Sequence, residues 1–134
     1  METEKASTTS RARVLVVDDS SLVRLYYRGI LEKAGFDVEQ AINGIEAMEK
    51  VLAQAFDLVI VDVNMPRMDG FSFVRALRRS TPSVAALPAL VITTEADQQD
   101  KEDARAAGAN FYLVKPVSEA DLLRHAVALA GVGK

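Results

Sequence analysis

Four short apolar segments of this 134-residue sequence each end at residues with chemically useful side chains. The residues at these ends are the pair Asp18 and Asp19, then Asp62, then Thr93 and finally Lys115. Carboxylates that lie ~4 Å apart repel one another by roughly 4 kcal/mol at an effective dielectric constant of about 20, so three of them in one place need a bound cation. Oxygen ligands without histidine or cysteine favour Mg²⁺ over zinc. If the four ends meet, the sequence predicts a magnesium site.

Lys115 adds a positive charge that a magnesium site alone does not require. A divalent cation beside an ammonium group can hold a phosphoryl group, because phosphoryl transfer depends on positioning and on charge neutralisation. Asp62 is the predicted nucleophile, since it stands alone at the end of its segment and an aspartate can carry phosphate as an acyl phosphate. Thr93 can donate its hydroxyl to a phosphoryl oxygen. These residues together predict a phosphoacceptor site.

The elements that must position these residues follow from the apolar pattern. Unbroken runs of aliphatic and β-branched residues are typical of strands that are buried on both faces of a parallel sheet. Helical patterns separate the runs, and the chain contains five strand-then-helix units, which predicts a doubly wound α/β fold with helices on both faces. Ligands of such sheets bind beyond the carboxyl ends of the strands. We therefore expect the four polar ends to converge.

Glycine, proline and capping residues indicate where the helices begin and end. The first predicted helix follows Ser20 and ends at Gly35, the second begins at Asn43, and the last begins at Ser118. The segment between Pro82 and Pro88 is interpreted as a linker. Apolar residues at helical spacing are expected to face the core in the first two helices: Leu22, Val23, Tyr26, Tyr27, Ile30, Leu31 and Ala34, then Ala47, Met48, Val51 and Leu52.

The fourth predicted helix, between Glu95 and Gly108, has alanine as its only apolar residue type. A helix that buries only methyl groups loses little on shifting, given about 0.8 kcal/mol for each buried methylene-sized group. We expect this helix to be the element that moves most easily.

Composition and charge exclude several functional classes. The length predicts a single domain over residues 12–131, with a disordered N-terminal tail over 1–11 and a C-terminal tail over 132–134. A net charge of -3 argues against direct binding of nucleic acid. The longest apolar stretches are far shorter than the roughly 18 residues of a membrane span, so no membrane association is expected. The absence of cysteine is consistent with a cytoplasmic location.

The polar residues at the strand ends also resemble a known family. The acidic pair, Asp62, Thr93, Tyr112 and the dipeptide Lys115-Pro116 occur in the order and spacing of the receiver domains of two-component response regulators. The resemblance is greatest to the single-domain chemotaxis (CheY-like) type and spans residues 13–130. It implies a flavodoxin-like, five-stranded parallel sheet with the strand order 2-1-3-4-5.

The resemblance implies a role for each matching residue at the site. Asp62 would take phosphate from a sensor histidine kinase or a histidine phosphotransfer protein. Asp18, Asp19, Asp62 and the backbone carbonyl of Asn64 would bind Mg²⁺. Lys115 would pair with the phosphoryl group, and the bond between Lys115 and Pro116 would be cis. Apart from self-phosphorylation and autodephosphorylation, the chain is expected to be a switch and not an enzyme.

The resemblance further implies how the switch would work. Thr93 would move toward the phosphate and Tyr112 would turn inward behind it. This motion would change the face formed by the fourth predicted helix, the fifth strand and the last helix, where a downstream target reads the signal. The Asn64 side chain and Glu95 match positions that orient water for dephosphorylation.

Two departures from the family pattern concern this moving face. Members that bind the flagellar switch carry lysines at the positions of Asp97 and Gln98, so the sequence assigns no target. Thr94 is bulkier than the alanine often found at its position, which would hinder the inward turn of Tyr112.

Two other functions stay open at this stage. A phosphatase of the haloacid dehalogenase type also uses Mg²⁺ and a strand-end aspartate, but it needs a second aspartate where this sequence has Asn64. A flavin-binding module shares the architecture, but its first loop is rich in hydroxyl groups and glycine, whereas residues 18–21 here are Asp-Asp-Ser-Ser. Steady turnover of a phosphomonoester would favour the phosphatase, and a colourless purified protein would exclude the flavin module.

Overall fold

Five parallel strands form a sheet at the centre of the fold, whose computed structural model describes residues 11–63, 65, 69–94 and 98–131. All four neighbouring strand pairs are parallel, and the order 2-1-3-4-5 confirms the predicted fold class. The strands are β1 (Arg13–Val17), β2 (Asp37–Ala41), β3 (Leu58–Asp62), β4 (Ala89–Thr93) and β5 (Phe111–Val114).

Six helices lie within the described residues and connect or follow the strands. They are α1 (Ser21–Lys33), α2 (Gly44–Ala53), α3 (Gly70–Arg78), α4 (Pro82–Ala85), α5 (Gln98–Ala107) and α6 (Glu119–Ala130). The short helix α4 was not predicted, because its segment was interpreted as a linker. Pro82 at its first turn has a backbone angle that suits a helix start, so this proline begins a helical turn. The fourth predicted helix corresponds to α5, and the last one to α6.

Side chains cap four of the described helices, and three of these caps confirm predicted helix beginnings, at Ser20, Asn43 and Ser118. Each accepts a hydrogen bond from the backbone N–H three residues later, at 2.8 to 3.3 Å, and such a cap stabilises a helix by about 1 kcal/mol. Gly35 follows α1 with a φ of 97°, a conformation that favours glycine. The capping residues are Ser20, Asn43, Asp69 and Ser118.

The strands are buried on both faces, as their unbroken apolar runs predict. On one face, α1 and α6 cover Val14, Val16 and Ile60; we call it the α1/α6 face. On the other, α2, α3 and α5 cover Leu15, Val17, Val61 and their neighbours; we call it the α3/α5 face. Alternate strand residues therefore belong to different cores, and the same alternation decides which way the polar residues at the strand ends point.

The burial of four predicted core residues differs from the prediction. Leu22 is 77% exposed, Tyr26 is 50% exposed and Leu52 is 60% exposed. Ala34, which caps the C-terminus of α1, is exposed as well. The apolar stripe of α1 is wider than the contact with the sheet, so Tyr27 and Ile30 are buried and the adjacent stripe faces outward. In α5 the buried residues are Ala104 and Ala107, which confirms that this helix is anchored by methyl groups.

The predicted tails are residues 1–11 and 132–134, and of these only Arg11 is among the described residues, so the domain boundaries stay a prediction. No helix in the described part of the chain has the length and apolar character needed to cross a membrane.

Candidate functional site

Side chains along each strand point alternately to the two faces of the sheet, and this alternation places three charged side chains on the α1/α6 face. Asp18 follows β1 in register with Val14 and Val16, Asp62 ends β3 two residues after Ile60, and Lys115 follows β5 two residues after Leu113. Because parallel strands end at the same edge of the sheet, these residues meet although they are far apart in sequence.

The distances define a compact acidic site with one ammonium group inside it. Lys115 Nζ lies 3.2 Å from Asp62 Oδ1 and 3.6 Å from Asp18 Oδ2. One carboxylate oxygen from each of Asp18, Asp19 and Asp62 can be chosen so that the three lie within 4.8 Å of one another. Asp18 and Asp62 are buried, whereas Asp19 is exposed and faces solvent. Three of the four predicted strand ends therefore meet, namely those that carry the acidic pair, Asp62 and Lys115.

Burial and neighbouring negative charges raise the pKa of both buried carboxyl groups. Desolvation is the largest cause for Asp18 and for Asp62; the charge of Asp19 also raises the pKa of Asp18, and the charge of Asp18 raises that of Asp62. The ammonium of Lys115 acts in the opposite direction on both groups. One ammonium near three carboxylates leaves the site with an excess of negative charge.

The donor set fits a hard divalent cation. Asp18 Oδ1 accepts a hydrogen bond from the backbone N–H of Ser20 at 2.9 Å, but the other oxygen, Oδ2, is buried without a hydrogen-bond partner. A buried carboxylate oxygen without a partner is costly unless it binds a ligand. With two further carboxylates close by, this oxygen is suited to coordinate Mg²⁺, which prefers oxygen ligands.

Hydrogen bonds from α1 and α3 to backbone carbonyl groups hold the strand ends that carry Asp18 and Asp62. Arg24 of α1 donates to the carbonyl oxygen of Asp18 at 2.7 Å, and its Nε donates to the Gln40 side chain at 2.9 Å. The backbone N–H of Gly70 donates to the carbonyl oxygen of Val63 at 3.0 Å, which joins the start of α3 to the end of β3. Thus α1 fixes the backbone at Asp18, and α3 fixes the backbone that follows Asp62.

Thr93 and Tyr112 stand on the other side of the sheet from the charged residues. Thr93 is 1% exposed and alternates with Val91, which belongs to the α3/α5 core, and Tyr112 packs against the same core. Thr93 is linked to Lys115 through the backbone, because Lys115 N–H donates to the Thr93 carbonyl at 2.7 Å. The Lys115–Pro116 peptide bond is cis, as predicted. The predicted movements of Thr93 and Tyr112 stay predictions.

Several predicted positions fall outside the described residues. These are Asn64, which was assigned to Mg²⁺ binding and dephosphorylation, Glu95, which was assigned to dephosphorylation, and Asp97. Gln98 begins α5, and Thr94 is exposed.

Tyr27 borders the site, and sequence reasoning treated it only as a core residue. Its side chain is 4% exposed in the α1/α6 core. Burial raises the pKa of its phenol, and the charges of Asp18 and Asp62 raise it further, so the ring remains uncharged. Tyr27 lies on α1, the helix that follows Asp18, and this position is the signal in the sequence that could have indicated it.

An apolar groove leads from the surface of α1 to Lys115. Leu22, Tyr26 and Tyr27 line it on the α1 side, and Pro116 and Val117 line it on the other. The hydroxyl of Tyr26 donates to the carbonyl oxygen of Val117 at 3.3 Å, which ties the two sides together.

Comparison with known proteins agrees with this geometry. The profile of the response regulator receiver domain family matches residues 14–127. The chain is 40% identical over 123 residues to the gliding motility regulatory protein of Myxococcus xanthus, an alignment that covers 92% of this chain and 16% of that protein. It is 39% identical over 105 residues to the sensor protein EvgS of Escherichia coli K12, which covers 78% of this chain and 8% of EvgS. The chain thus spans a small part of the length of these relatives.

Solved structures of similar proteins share the whole fold. The chemotaxis protein CheY4 of Vibrio cholerae has a TM-score of 0.84 at 40% identity, covering 90% of this chain and 99% of that chain. The receiver domain of a sensor histidine kinase from Pseudomonas aeruginosa has a TM-score of 0.83 at 29% identity, covering 91% of this chain and 99% of that one. That structure has a magnesium ion coordinated in its active site cleft.

Proposed function

Because this chain belongs to the family of response regulator receiver domains, the signalling switches of two-component systems, we propose that its Asp62 accepts a phosphoryl group from a phosphohistidine. The donor is a sensor histidine kinase or a histidine phosphotransfer protein. One observation carries the proposal: the Asp62 carboxylate lies 3.2 Å from the ammonium of Lys115, within a group of three carboxylates.

The residues of the site have distinct parts in the transfer. A carboxylate oxygen of Asp62 attacks the phosphorus atom, the phosphorus–nitrogen bond breaks, and its electron pair returns to the imidazole of the donor. Lys115 neutralises charge on the phosphoryl oxygens, and its position beside Asp62 exists before the phosphoryl group arrives. Such preorganised charge is the main means of catalysing phosphoryl transfer.

The proposed cofactor is Mg²⁺, held by Asp18, Asp19, Asp62 and the backbone carbonyl of Asn64. When bound, it would supply positive charge to the carboxylates and to the phosphoryl oxygens. The Asp18 oxygen that lacks a hydrogen-bond partner and the excess negative charge of the site support this assignment.

The phosphodonor needs a surface beside Asp62, and α1 offers one. Leu22, Leu25 and Tyr26 are 77%, 56% and 50% exposed, and their spacing places them on one side of the helix. Exposed apolar side chains in one row are typical of a protein interface. A helix of the donor that packs on this row can place its histidine over the groove that leads to Lys115.

The phosphorylated state is read through Thr93 and Tyr112. In the proposed switch, the Thr93 hydroxyl moves to the phosphoryl group and Tyr112 turns inward, so the surface of α5, β5 and α6 changes and a downstream target binds one state in preference. The Asn64 side chain and Glu95 orient the water that ends the signal. The proposal includes a cytoplasmic location, a receiver domain over residues 12–131 and no turnover of other substrates.

Phosphorylation with acetyl phosphate and Mg²⁺ tests the assignment of Asp62. We expect the parent protein to gain one phosphoryl group that alkali and hydroxylamine release, and we expect Asp62→Asn to gain none while remaining folded. Asp37→Asn is the matched control, because Asp37 is the first residue of β2 and so lies at the amino ends of the strands, away from the site at their carboxyl ends. Labelling of Asp62→Asn at the parent level would refute the assignment.

A further inference from the structure

Two adjacent tyrosines of α1 differ in what their hydroxyl groups contact. The hydroxyl of Tyr26, an exposed residue, donates to the carbonyl oxygen of Val117 at 3.3 Å. Tyr27 is buried in the α1/α6 core, but within the described part of the chain its hydroxyl has no hydrogen-bond partner. The hydroxyl of a buried tyrosine usually finds a partner, so packing alone does not account for Tyr27.

The hydroxyl of Tyr27 belongs to the surroundings of the acidic site. Tyr27 and Lys115 line the same groove. Burial raises the pKa of the phenol, and the nearby charges of Asp18 and Asp62 raise it further, so the O–H group stays a donor at neutral pH. The hydroxyl oxygen is not one of the fully enclosed atoms, so water in the groove can reach it.

Asp18 has an acceptor that matches this donor. Its Oδ2 accepts no hydrogen bond from the described residues, and Lys115 Nζ lies 3.6 Å away, which is longer than an N–H···O hydrogen bond. A hydroxyl donor, an ammonium donor and a carboxylate acceptor therefore come together at the inner end of the groove. One water molecule can satisfy all three groups, because a water accepts two hydrogen bonds and donates two.

We propose that Tyr27 positions Asp18 for Mg²⁺ through such a water molecule. The water accepts hydrogen bonds from the Tyr27 hydroxyl and from Lys115, and it donates one to Asp18 Oδ2. This oxygen has two lone pairs, so it can accept from the water and bind the cation together. Partners behind a metal ligand fix its orientation, and their loss typically weakens metal binding by about 10- to 100-fold. The inference rests on the proposed Mg²⁺ site and adds to it a residue that acts only through Asp18.

Removal of the hydroxyl group tests the proposal. Tyr27→Phe keeps the ring in the core, and Tyr26→Phe is the matched control, because it removes a neighbouring hydroxyl that contacts only a backbone carbonyl. Titration with Mg²⁺, followed by amide NMR shifts, gives the dissociation constant of each protein. We expect this constant to rise about tenfold in Tyr27→Phe and by less than about twofold in Tyr26→Phe. An unchanged constant in Tyr27→Phe, or an equal rise in both variants, would overturn the proposal.

A double-mutant cycle shows whether the phenol acts through Asp18. In the Asp18→Asn background the water loses its carboxylate partner, so we expect Tyr27→Phe to change the remaining Mg²⁺ affinity by less than about twofold. A further fall of about tenfold would show that Tyr27 acts independently of Asp18, and it would overturn the proposal.

Tyrosine labelled with ¹³C at Cζ reports on the hydroxyl in the parent protein, so this measurement does not depend on the folding of any variant. We expect Mg²⁺ to shift the Cζ signal of Tyr27 and to leave that of Tyr26 in place. The absence of a shift at Tyr27, or equal shifts at both, would contradict the proposal. If Asp18→Asn and Asp19→Asn bind Mg²⁺ as the parent does, the proposed metal site itself fails. If they lose Mg²⁺ and Tyr27→Phe does not, only the role of Tyr27 is wrong.

Discussion

The α-carbon of Gly70 packs directly against the backbone carbonyl of Asp62. A Cβ at position 70 would lie 2.4 Å from that carbonyl oxygen and 2.8 Å from the α-carbon of Val63. Both neighbours are backbone atoms, so they cannot rotate away as a side chain can. The first residue of α3 therefore sets the position of the end of β3, where the carboxylate of Asp62 begins.

Substitution of Gly70 by alanine tests this contact. We expect Gly70→Ala to lower the free energy of unfolding by about 1 to 3 kcal/mol, because the methyl group forces backbone atoms apart. The displacement of Asp62 from Lys115 is expected to slow phosphorylation by acetyl phosphate as well. Urea unfolding and the rate of phosphoryl incorporation measure the two effects.

Gly29→Ala is the matched control for this substitution. Gly29 lies within α1, is exposed, and has no heavy atom within 4 Å of its virtual Cβ. Alanine is favoured over glycine in a helix by about 0.5 to 1 kcal/mol, so this variant is expected to gain stability. A loss of stability in both variants would contradict the explanation by close contact.

Removal of the ammonium group tests the balance of charge within the site. Lys115→Met leaves Asp18 and Asp62 without their positive neighbour, so we expect a loss of about 1 to 3 kcal/mol in the free energy of unfolding without divalent cations. Adding Asp62→Asn to this variant should recover much of the loss, because one of the repelling charges disappears. A double-mutant cycle with no coupling between the two substitutions would show that the ion pair has no energetic role.

The pH dependence of stability follows from the raised pKa of Asp62. A carboxyl group whose pKa is higher in the folded state than its ordinary value of 3.8 binds protons more tightly when folded. Stability contributed by this group is present at low pH and is lost as the pH rises through the raised pKa. Without divalent cations, Asp62→Asn is therefore expected to be more stable than the parent by about 1 to 2 kcal/mol at neutral pH.

This advantage is expected to vanish below about pH 3, where the parent carboxyl is protonated in both the folded and the unfolded state. Chemical unfolding of both proteins over this pH range provides the measurement. An advantage that stays constant with pH, or that grows on acidification, would show that desolvation and repulsion do not raise the pKa of Asp62.

Addition of Mg²⁺ tests the assigned metal ligands without any phosphorylation. A ligand present at ten times its dissociation constant stabilises the folded state by about 1.4 kcal/mol. We expect this gain in the parent and in Asp37→Asn, and we expect its loss in Asp18→Asn and Asp19→Asn. Thermal unfolding with Mg²⁺ or with EDTA is the measurement, and an equal gain in all four proteins would contradict the assignment.

Much of the fold and of the site's arrangement could be predicted, because buried strands and their polar ends leave a strong local pattern. Asp18, Asp62 and Lys115 were expected to meet because parallel strands share one carboxyl edge, and this argument needs no knowledge of packing. The outward orientation of Leu22 and Tyr26 could not be predicted in this way. Periodicity gives the width of an apolar stripe, but the curvature of the sheet decides which part of the stripe it covers.

The short helix α4 shows a second limit of local reasoning. Two prolines within seven residues are typical of a linker. The helical turn of α4 is stabilised by contacts with residues outside this segment. Arg78 supplies such contacts, since its guanidinium donates to the carbonyl oxygens of Ala85 and Leu87 at 2.9 and 2.7 Å. Nothing near Pro82 in the sequence indicates that an arginine of the preceding helix will hold this segment.

The division of the sheet into two faces has a consequence for how such a switch can diversify. The proposed phosphodonor surface on α1 belongs to the α1/α6 face, whereas α5 and Tyr112 belong to the opposite one. A substitution at Leu22 or Tyr26 can therefore alter the proposed choice of kinase without touching the packing of α5 and Tyr112. The helix α6, which shares the face of α1, is the part of the proposed target surface that such a substitution can still reach.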